Sequence, residues 1–251
     1  MTDQPPIQHL DHDGRSIAYR HREGKGVTYL FLPGYASDME GGKATAIDSY
    51  AADGGRGCLR FDYSGTGSSG GDFADGTLER WLEDVLAMID HVAKGPVILV
   101  GSSMGGWLAL LAATRRPDRV AALLGLASAP DFTDWGYSEE EKRLLATDGK
   151  IERPSRYDDS VQVTHKGFWV SGERLKVLNG PIDYRGPVRF IHGEGDADVP
   201  ARISAAALQR LTSPDVQLRL IKNSGHRLSE PHEIGAILAD LHALDRLVTQ
   251  Q

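Results

Sequence analysis

Short apolar runs alternate with longer amphipathic stretches over most of the chain, and that alternation predicts its elements. Residues 27–32, 58–62, 97–100, 120–127, 188–191 and 216–221 read as strands, with 27–32, 97–100 and 120–127 apolar enough to be buried on both faces. Residues 44–52, 77–92, 201–211 and 233–248 carry helical spacing. The clearest is 77–92, where Leu78, Trp81, Leu82, Val85, Leu86 and Ile89 fall on one face. Another helix begins at Trp107 and ends near Arg116-Pro117. Upstream, 7–10 and 16–20 alternate like strands on either side of an Asp13-Gly14 hairpin turn. Strands and helices in turn predict an α/β fold: a mostly parallel sheet with helices on both faces. At 251 residues the chain suits one domain, 1–251.

From about 131 to 186 the alternation lapses and the sequence becomes more polar, which predicts a cap inserted in that domain. Within it, Ser138 with Glu141 matches a capping box opening a helix to about Thr147. Residues 161–170 read as a strand and 172–178 as a brief helix. The cap aromatics Trp135, Tyr137, Tyr157, Phe168, Trp169 and Tyr184 fit equally a small core of their own or the lining of a substrate pocket.

The strand 97–100 runs into Gly101-Ser102-Ser103-Met104-Gly105 and then directly into a helix of small and apolar residues. Strand, tight turn, helix is the setting in which Gly-x-Ser-x-Gly becomes a nucleophile elbow. Glycines at 101 and 105 let two backbones pass closely, so Ser103 rather than Ser102 is the candidate nucleophile. The Met104 N–H then opens a helix, where it can donate to a developing oxyanion. After strand 27–32, Pro33-Gly34-Tyr35 offers a second donor, the Tyr35 N–H, because Gly34 frees the backbone to turn it inward. A plain Gly/Ser turn before a core helix is the competing reading of the elbow. The run Gly65-Thr66-Gly67-Ser68-Ser69-Gly70 spells G-x-G-x-x-G, but polar loop residues continue to Gly76 where a nucleotide site would open a helix.

A serine hydroxyl needs an imidazole to take its proton and a carboxylate to orient that imidazole. Of nine histidines, His226 lies in a loop just beyond a late strand; His192 ends a strand but precedes the acids, and His232 opens the last helix. Asp196 and Asp198 share the turn after strand 188–191 and both fit as the acid, with Asp131 and Asp134 as remoter alternatives. Acidic residues outnumber basic ones, 35 to 28, for a net charge of −7, which argues against nucleic-acid partners. No apolar run reaches the ~20 residues that span a bilayer. The first residues resemble neither a signal peptide nor an import peptide, so a cytoplasmic protein is expected. The single cysteine, Cys58, excludes an intrachain disulfide and reads as a buried small hydrophobe. There is no Cys/His cluster, so neither metal nor cofactor is expected.

These features resemble the α/β-hydrolase superfamily, in which nucleophile, acid and histidine follow in that order. The turn Gly193-Glu-Gly-Asp196-Ala-Asp-Val199-Pro200 resembles the family's Gly-x-x-Asp-x-x-Val-Pro, which implies Asp196 as the acid. The longer runs Phe31-Leu-Pro-Gly-Tyr35, Gly42-Lys43-Ala44, Arg60-Phe-Asp-Tyr-Ser-Gly65 and Gly95-Pro96 through Trp107 resemble the branch of palmitoyl-protein thioesterases and acyl-glucuronide esterases. The usual His-Gly of the oxyanion loop is Pro-Gly here. The resemblance implies a Ser103–His226–Asp196 triad acting on acyl esters or thioesters of small molecules or acylated proteins. A small-acyl or acyl-glucuronide carboxylesterase is the alternative within this chemistry. A non-catalytic binding protein on the same fold is the alternative outside it, and intact Ser103 and His226 speak against that.

Overall fold

A computed structural model describes residues 4–155, 159 and 161–249; Tyr157 lies outside them. Eight strands form one sheet: β1 (Gln8–His12), β2 (Arg15–Arg22), β3 (Thr28–Leu32), β4 (Gly57–Phe61), β5 (Val97–Ser102), β6 (Val120–Leu126), β9 (Val188–Gly193) and β10 (Val216–Ile221), in the order β1-β2-β4-β3-β5-β6-β9-β10. The pairs β1–β2 and β2–β4 are antiparallel and all others parallel, as the alternation predicts. Five helices connect the strands and cover them: α1 (Gly42–Gly54), α2 (Leu78–Ala87), α3 (Met104–Arg115), α7 (Arg202–Arg210) and α8 (Pro231–Thr249).

The apolar runs are unbroken because both faces are covered, and successive residues divide between two cores. Leu30 and Leu32 of β3, with Val97 and Leu99 of β5, join α2 and α3. Tyr29, Phe31, Ile98 and Val100 face the other way, onto α1 and α8. Period-two alternation thus persists inside an all-apolar run, with a helix on each side replacing water. In α2, Leu78, Trp81, Leu82 and Val85 are all buried, each contributing ~1.5–3 kcal/mol of hydrophobic burial. Thr77 caps this helix by accepting from the Arg80 N–H, and a π turn, Met88–Val92, continues it. Residues 65–71 form a loop of turns before α2, with no helix opening at its glycines.

Between β6 and β9 the chain leaves the sheet and forms α4 (Phe132–Trp135), α5 (Glu139–Asp148), β7 (Lys150–Pro154), β8 (Val161–His165) and α6 (Lys166–Arg174). The capping box at Ser138 and Glu141 forms as expected. The strand expected over 161–170 ends at His165, where α6 begins, and the helix expected over 172–178 is the later part of α6 with a loop after it. Phe168, Ser171 and Gly172 are the buried residues of α6, at helical spacing. Two of them carry no apolar side chain, so the hydrophobic pattern did not mark the helix. β7, absent from the expected elements, pairs antiparallel with β8 from Lys150↔His165 to Pro154↔Val161.

Candidate active site

β5, β9 and β10 run parallel, so the turns that follow them emerge at one end of the sheet. Ser103 follows β5 at φ 53° and ψ −114°, a backbone conformation that costs a non-glycine residue ~1–3 kcal/mol and that its surroundings must impose. Those surroundings are close. A Cβ on Gly101 would collide with the Gly105 carbonyl, and one on Gly105 with the Leu32 carbonyl. The Ser103 N–H donates to the Leu126 carbonyl at 2.9 Å, and the Ser103 carbonyl accepts from the Ala129 N–H at 3.0 Å. β3 on one side and β6 on the other therefore lock the elbow.

His226, in the loop after β10, places Nε2 3.1 Å from Ser103 Oγ and Nδ1 2.8 Å from Asp196 Oδ2. Ser103, His226 and Asp196, far apart in sequence, thus form one hydrogen-bonded row. Between the two candidate acids the turn itself discriminates. Asp196 Oδ1 accepts the N–H groups of Asp198 and Val199 at 2.9 and 2.8 Å, leaving Oδ2 for the imidazole. Burial raises the pKa of this carboxyl, but donors from His192, His226 and the Val199 N–H outweigh it, and the net value lies well below the usual carboxylate range. The Asp196 side chain is fully buried and that of His226 is 17% exposed, so the row opens to solvent at its histidine end. Asp131, a remoter candidate, is engaged elsewhere. Its two oxygens accept the Val177 and Leu178 N–H groups at 2.8 and 2.9 Å, tying down the segment that leaves α6.

Met104 opens α3, so its N–H has no acceptor within the helix. Gly34 abuts the elbow: a Cβ built there would lie 3.5 Å from Ser103 Cβ. This brings the Pro33-Gly34-Tyr35 loop beside the serine, and the Tyr35 N–H has no acceptor among the described residues. The Tyr35 side chain does something the sequence did not announce. Its hydroxyl donates to the Val163 carbonyl of β8 at 2.8 Å, and its ring lies 4.7 Å from Phe168 of α6 and 6.0 Å from Phe132 of α4. Burial raises the pKa of this hydroxyl, keeping it a donor.

The aromatics of residues 131–186 divide. Phe168 packs on Tyr35 and Trp81, whereas Tyr137 and Trp169 pack around Leu145 and Ile151 in a separate cluster. Trp135 packs near Ala129, Val199 and Ile203, and Tyr184 belongs to the main core, its hydroxyl bonded to the Val120 carbonyl.

His192 touches the row as well, with Nε2 3.2 Å from Asp196 Oδ2. The available signal was a histidine at the end of an apolar strand, four residues before Asp196. Asp196, Asp198 and His226 bring metal-ligand atoms within 4.8 Å of one another. Hydrogen bonds already occupy both Asp196 oxygens and both ring nitrogens of His226, so this donor set fits a proton relay better than a cation. Cys58 is fully buried, and burial raises its thiol pKa, as expected of a small core residue.

A profile described as "Alpha/beta hydrolase family" matches residues 29–237. The human protein named "Palmitoyl-protein thioesterase ABHD10, mitochondrial" is 40% identical over 239 residues, covering 93% of this chain and 78% of its own. Among solved structures, alpha/beta hydrolase domain-containing protein 10 from mouse superimposes with a TM-score of 0.91 at 38% identity, covering 96% of this chain and 99% of that one. A putative hydrolase from Agrobacterium vitis gives 0.88 at 37% identity, covering 95% and 99%. The sheet order, the matched profile and these relatives agree: the chain belongs to the alpha/beta hydrolase family and is a hydrolase.

Proposed function

We propose that the protein hydrolyses carboxylic acyl esters and thioesters through a covalent acyl-serine, with long-chain acyl thioesters as its preferred class. The observation that carries this is the Ser103–His226–Asp196 row, 3.1 and 2.8 Å, set on a strained elbow beside two unused amides. Ser103 Oγ attacks the acyl carbonyl carbon while His226 Nε2 takes its proton. His226 Nδ1–H donates to Asp196, whose depressed pKa keeps it an anion through the working pH range. The carbonyl oxygen, now anionic, accepts from the Tyr35 and Met104 N–H groups. The carbon–sulfur or carbon–oxygen bond then breaks, and the proton held on His226 passes to the leaving thiol or alcohol. In the second half, water gives a proton to His226 as it attacks the acyl-serine carbonyl; the carbon–Oγ bond then breaks, His226 returns that proton to Ser103 Oγ, and the acid leaves with Ser103 restored. Apart from substrate and water, every step uses groups of this chain.

The thioester preference rests on relatives about 40% identical that bear the name palmitoyl-protein thioesterase. Mass spectrometry of the protein mixed with a palmitoyl thioester and quenched within a turnover tests the pathway. The expected result is a palmitoyl mass increment mapped to Ser103 and absent from Ser103→Ala. Hydrolysis by the wild type with the increment on another residue, or with equal turnover in Ser103→Ala, would overturn it.

A further inference from the structure

His192 lies against the acid yet has no part in the proton path just described. It is fully buried near the end of β9. Its Nε2 lies 2.8 Å from the Val199 carbonyl oxygen and 3.2 Å from Asp196 Oδ2, and its Nδ1 lies 2.8 Å from Ser204 Oγ on α7. A carbonyl oxygen can only accept, so Nε2 carries the proton. Nδ1 then accepts from the Ser204 hydroxyl, which is itself fully buried. This tautomer satisfies every partner: Nε2–H donates to the Val199 carbonyl while lying 3.2 Å from Asp196 Oδ2.

Four nitrogens therefore surround the Asp196 carboxylate. Two backbone amides hold Oδ1, and two imidazoles meet at Oδ2. Each donor stabilises the carboxylate and also draws on the negative charge that steadies a protonated His226. We infer, building on the acyl-transfer reading, that His192 is a positioning residue acting through Asp196: by sharing Oδ2 it fixes the carboxylate against His226 and moderates the basicity of His226. The consequence is a base that stays free to accept a proton at lower pH than a Ser–His–Asp row with one imidazole alone.

Other charged groups surround this pair. Asp198 lies in the same cluster, and Glu194, in the same turn, accepts from the Asn223 N–H at 3.4 Å. Arg227 adjoins His226, and the Lys43 ammonium of α1 donates to the Arg227 carbonyl. Burial and the neighbouring Arg227 charge lower the Lys43 pKa to about 8. Substitution at His192 leaves all four side chains in place, so a change in the titration of His226 reports on the shared oxygen.

The experiment follows His226 by NMR titration, with the pH profile of kcat/KM on a short-chain ester alongside, in wild type, His192→Leu and His192→Gln. Leucine removes the donor at similar volume; glutamine places an amide N–H near the position of Nε2. The expected result for His192→Leu is an upward shift of the His226 midpoint by about half a unit to one unit, with the acid limb of kcat/KM moving in step. Turnover on that limb then falls roughly three- to tenfold. His192→Gln is expected to stay near wild type. If His192→Leu does not fold, His192→Asn, whose shorter amide reaches Ser204 but not Oδ2, carries the same expectation. An unmoved His226 midpoint in the donor-free variant, or an equal shift in His192→Gln, overturns the inference. Ser103→Ala in parallel keeps the two readings apart. Unchanged turnover in that variant overturns the acyl-transfer reading, while the NMR midpoints still decide the role of His192.

Discussion

The sheet that carries Ser103 and the segment 131–186 that packs on Tyr35 are buried to different degrees. Around Ser103, β3, β5 and α3 are buried almost throughout, and glycines allow carbonyls to approach where no side chain fits. In the 131–186 segment, half of the residues of β7 and β8 are exposed, Tyr137, Leu145 and Ile151 make a small core, and ion pairs lie at the surface: Arg153 with Glu141, Lys142 with Glu139, Lys176 with Glu173. Hydrogen bonds join this segment to the body: the Tyr35 hydroxyl to the Val163 carbonyl, the Leu78 N–H to Ser171 Oγ, the Trp107 indole N–H to the Leu175 carbonyl, and the Tyr184 hydroxyl to the Val120 carbonyl. Close packing fixes the chemistry to fractions of an ångström. Screened surface contacts constrain the neighbouring segment less.

The sharpest way to break this contrast is within the site. Asp196→Asn is expected to lower turnover about 10⁴-fold by removing the charge that orients the imidazole, whereas Asp198→Asn costs no more than a few-fold. Comparable losses in the two variants would mean that the backbone amides at 198 and 199 do not select the acid. Gly105→Ala probes the packing itself. The new Cβ meets the Leu32 carbonyl, so we expect destabilisation of roughly 3 kcal/mol or more by denaturant unfolding, with activity lost. Tyr35→Phe keeps the ring and removes the bond to β8. The expected cost is about 1 kcal/mol in stability, with a several-fold fall in kcat because the amide proposed to hold the oxyanion belongs to the same residue. A wild-type kcat would separate that loop from the segment.

The smallest effect concerns pH. Hydrogen bonds from Arg153 hold the Glu141 pKa down to about 2, against an ordinary 4.5, with burial opposing. A depressed carboxylate stabilises the fold above its unfolded pKa, so this contribution is complete above ~4.5 and lost as pH falls toward 2. Arg153 is 41% exposed, so screening limits the contribution to about 1 kcal/mol or less. Protection factors for amide exchange across 139–154 are expected to fall below pH 4 before those of β5 do, and Glu141→Gln is expected to show the reduced protection already at pH 7.

The parts of the fold legible in the sequence are those whose physics is local. Unbroken apolar strands and the glycine spacing around Ser103 announce the elbow, because strand, turn and helix are consecutive and Gly101 clears Gly105 within it; that Gly105 also clears the Leu32 carbonyl of β3 is visible only in the fold. The choice of Asp196 over Asp198 was open from residue types alone, since it depends on which carboxylate the turn's own amides engage. His192 could be placed at a strand end, but its contact with Asp196 forms only when the acid turn folds back across four residues. The strand–helix switch at Lys166 was hidden because α6 buries Ser171 and Gly172, residues that leave no apolar trace. β7 was hidden for a related reason: Lys150, Glu152 and Arg153 give it the composition of a solvated loop, and only its pairing with β8 makes it a strand. Tyr184 lies within the cap by sequence position, whereas its hydroxyl reaches the Val120 carbonyl in the main core.

The most direct test of the account is the rate of hydrolysis by purified protein on matched oxygen esters and thioesters, from acetyl to palmitoyl, with Ser103→Ala alongside. The account predicts turnover of both bond types that disappears in Ser103→Ala, with kcat/KM rising along the thioester series toward palmitoyl. Equal rates from wild type and Ser103→Ala across the whole series would contradict it.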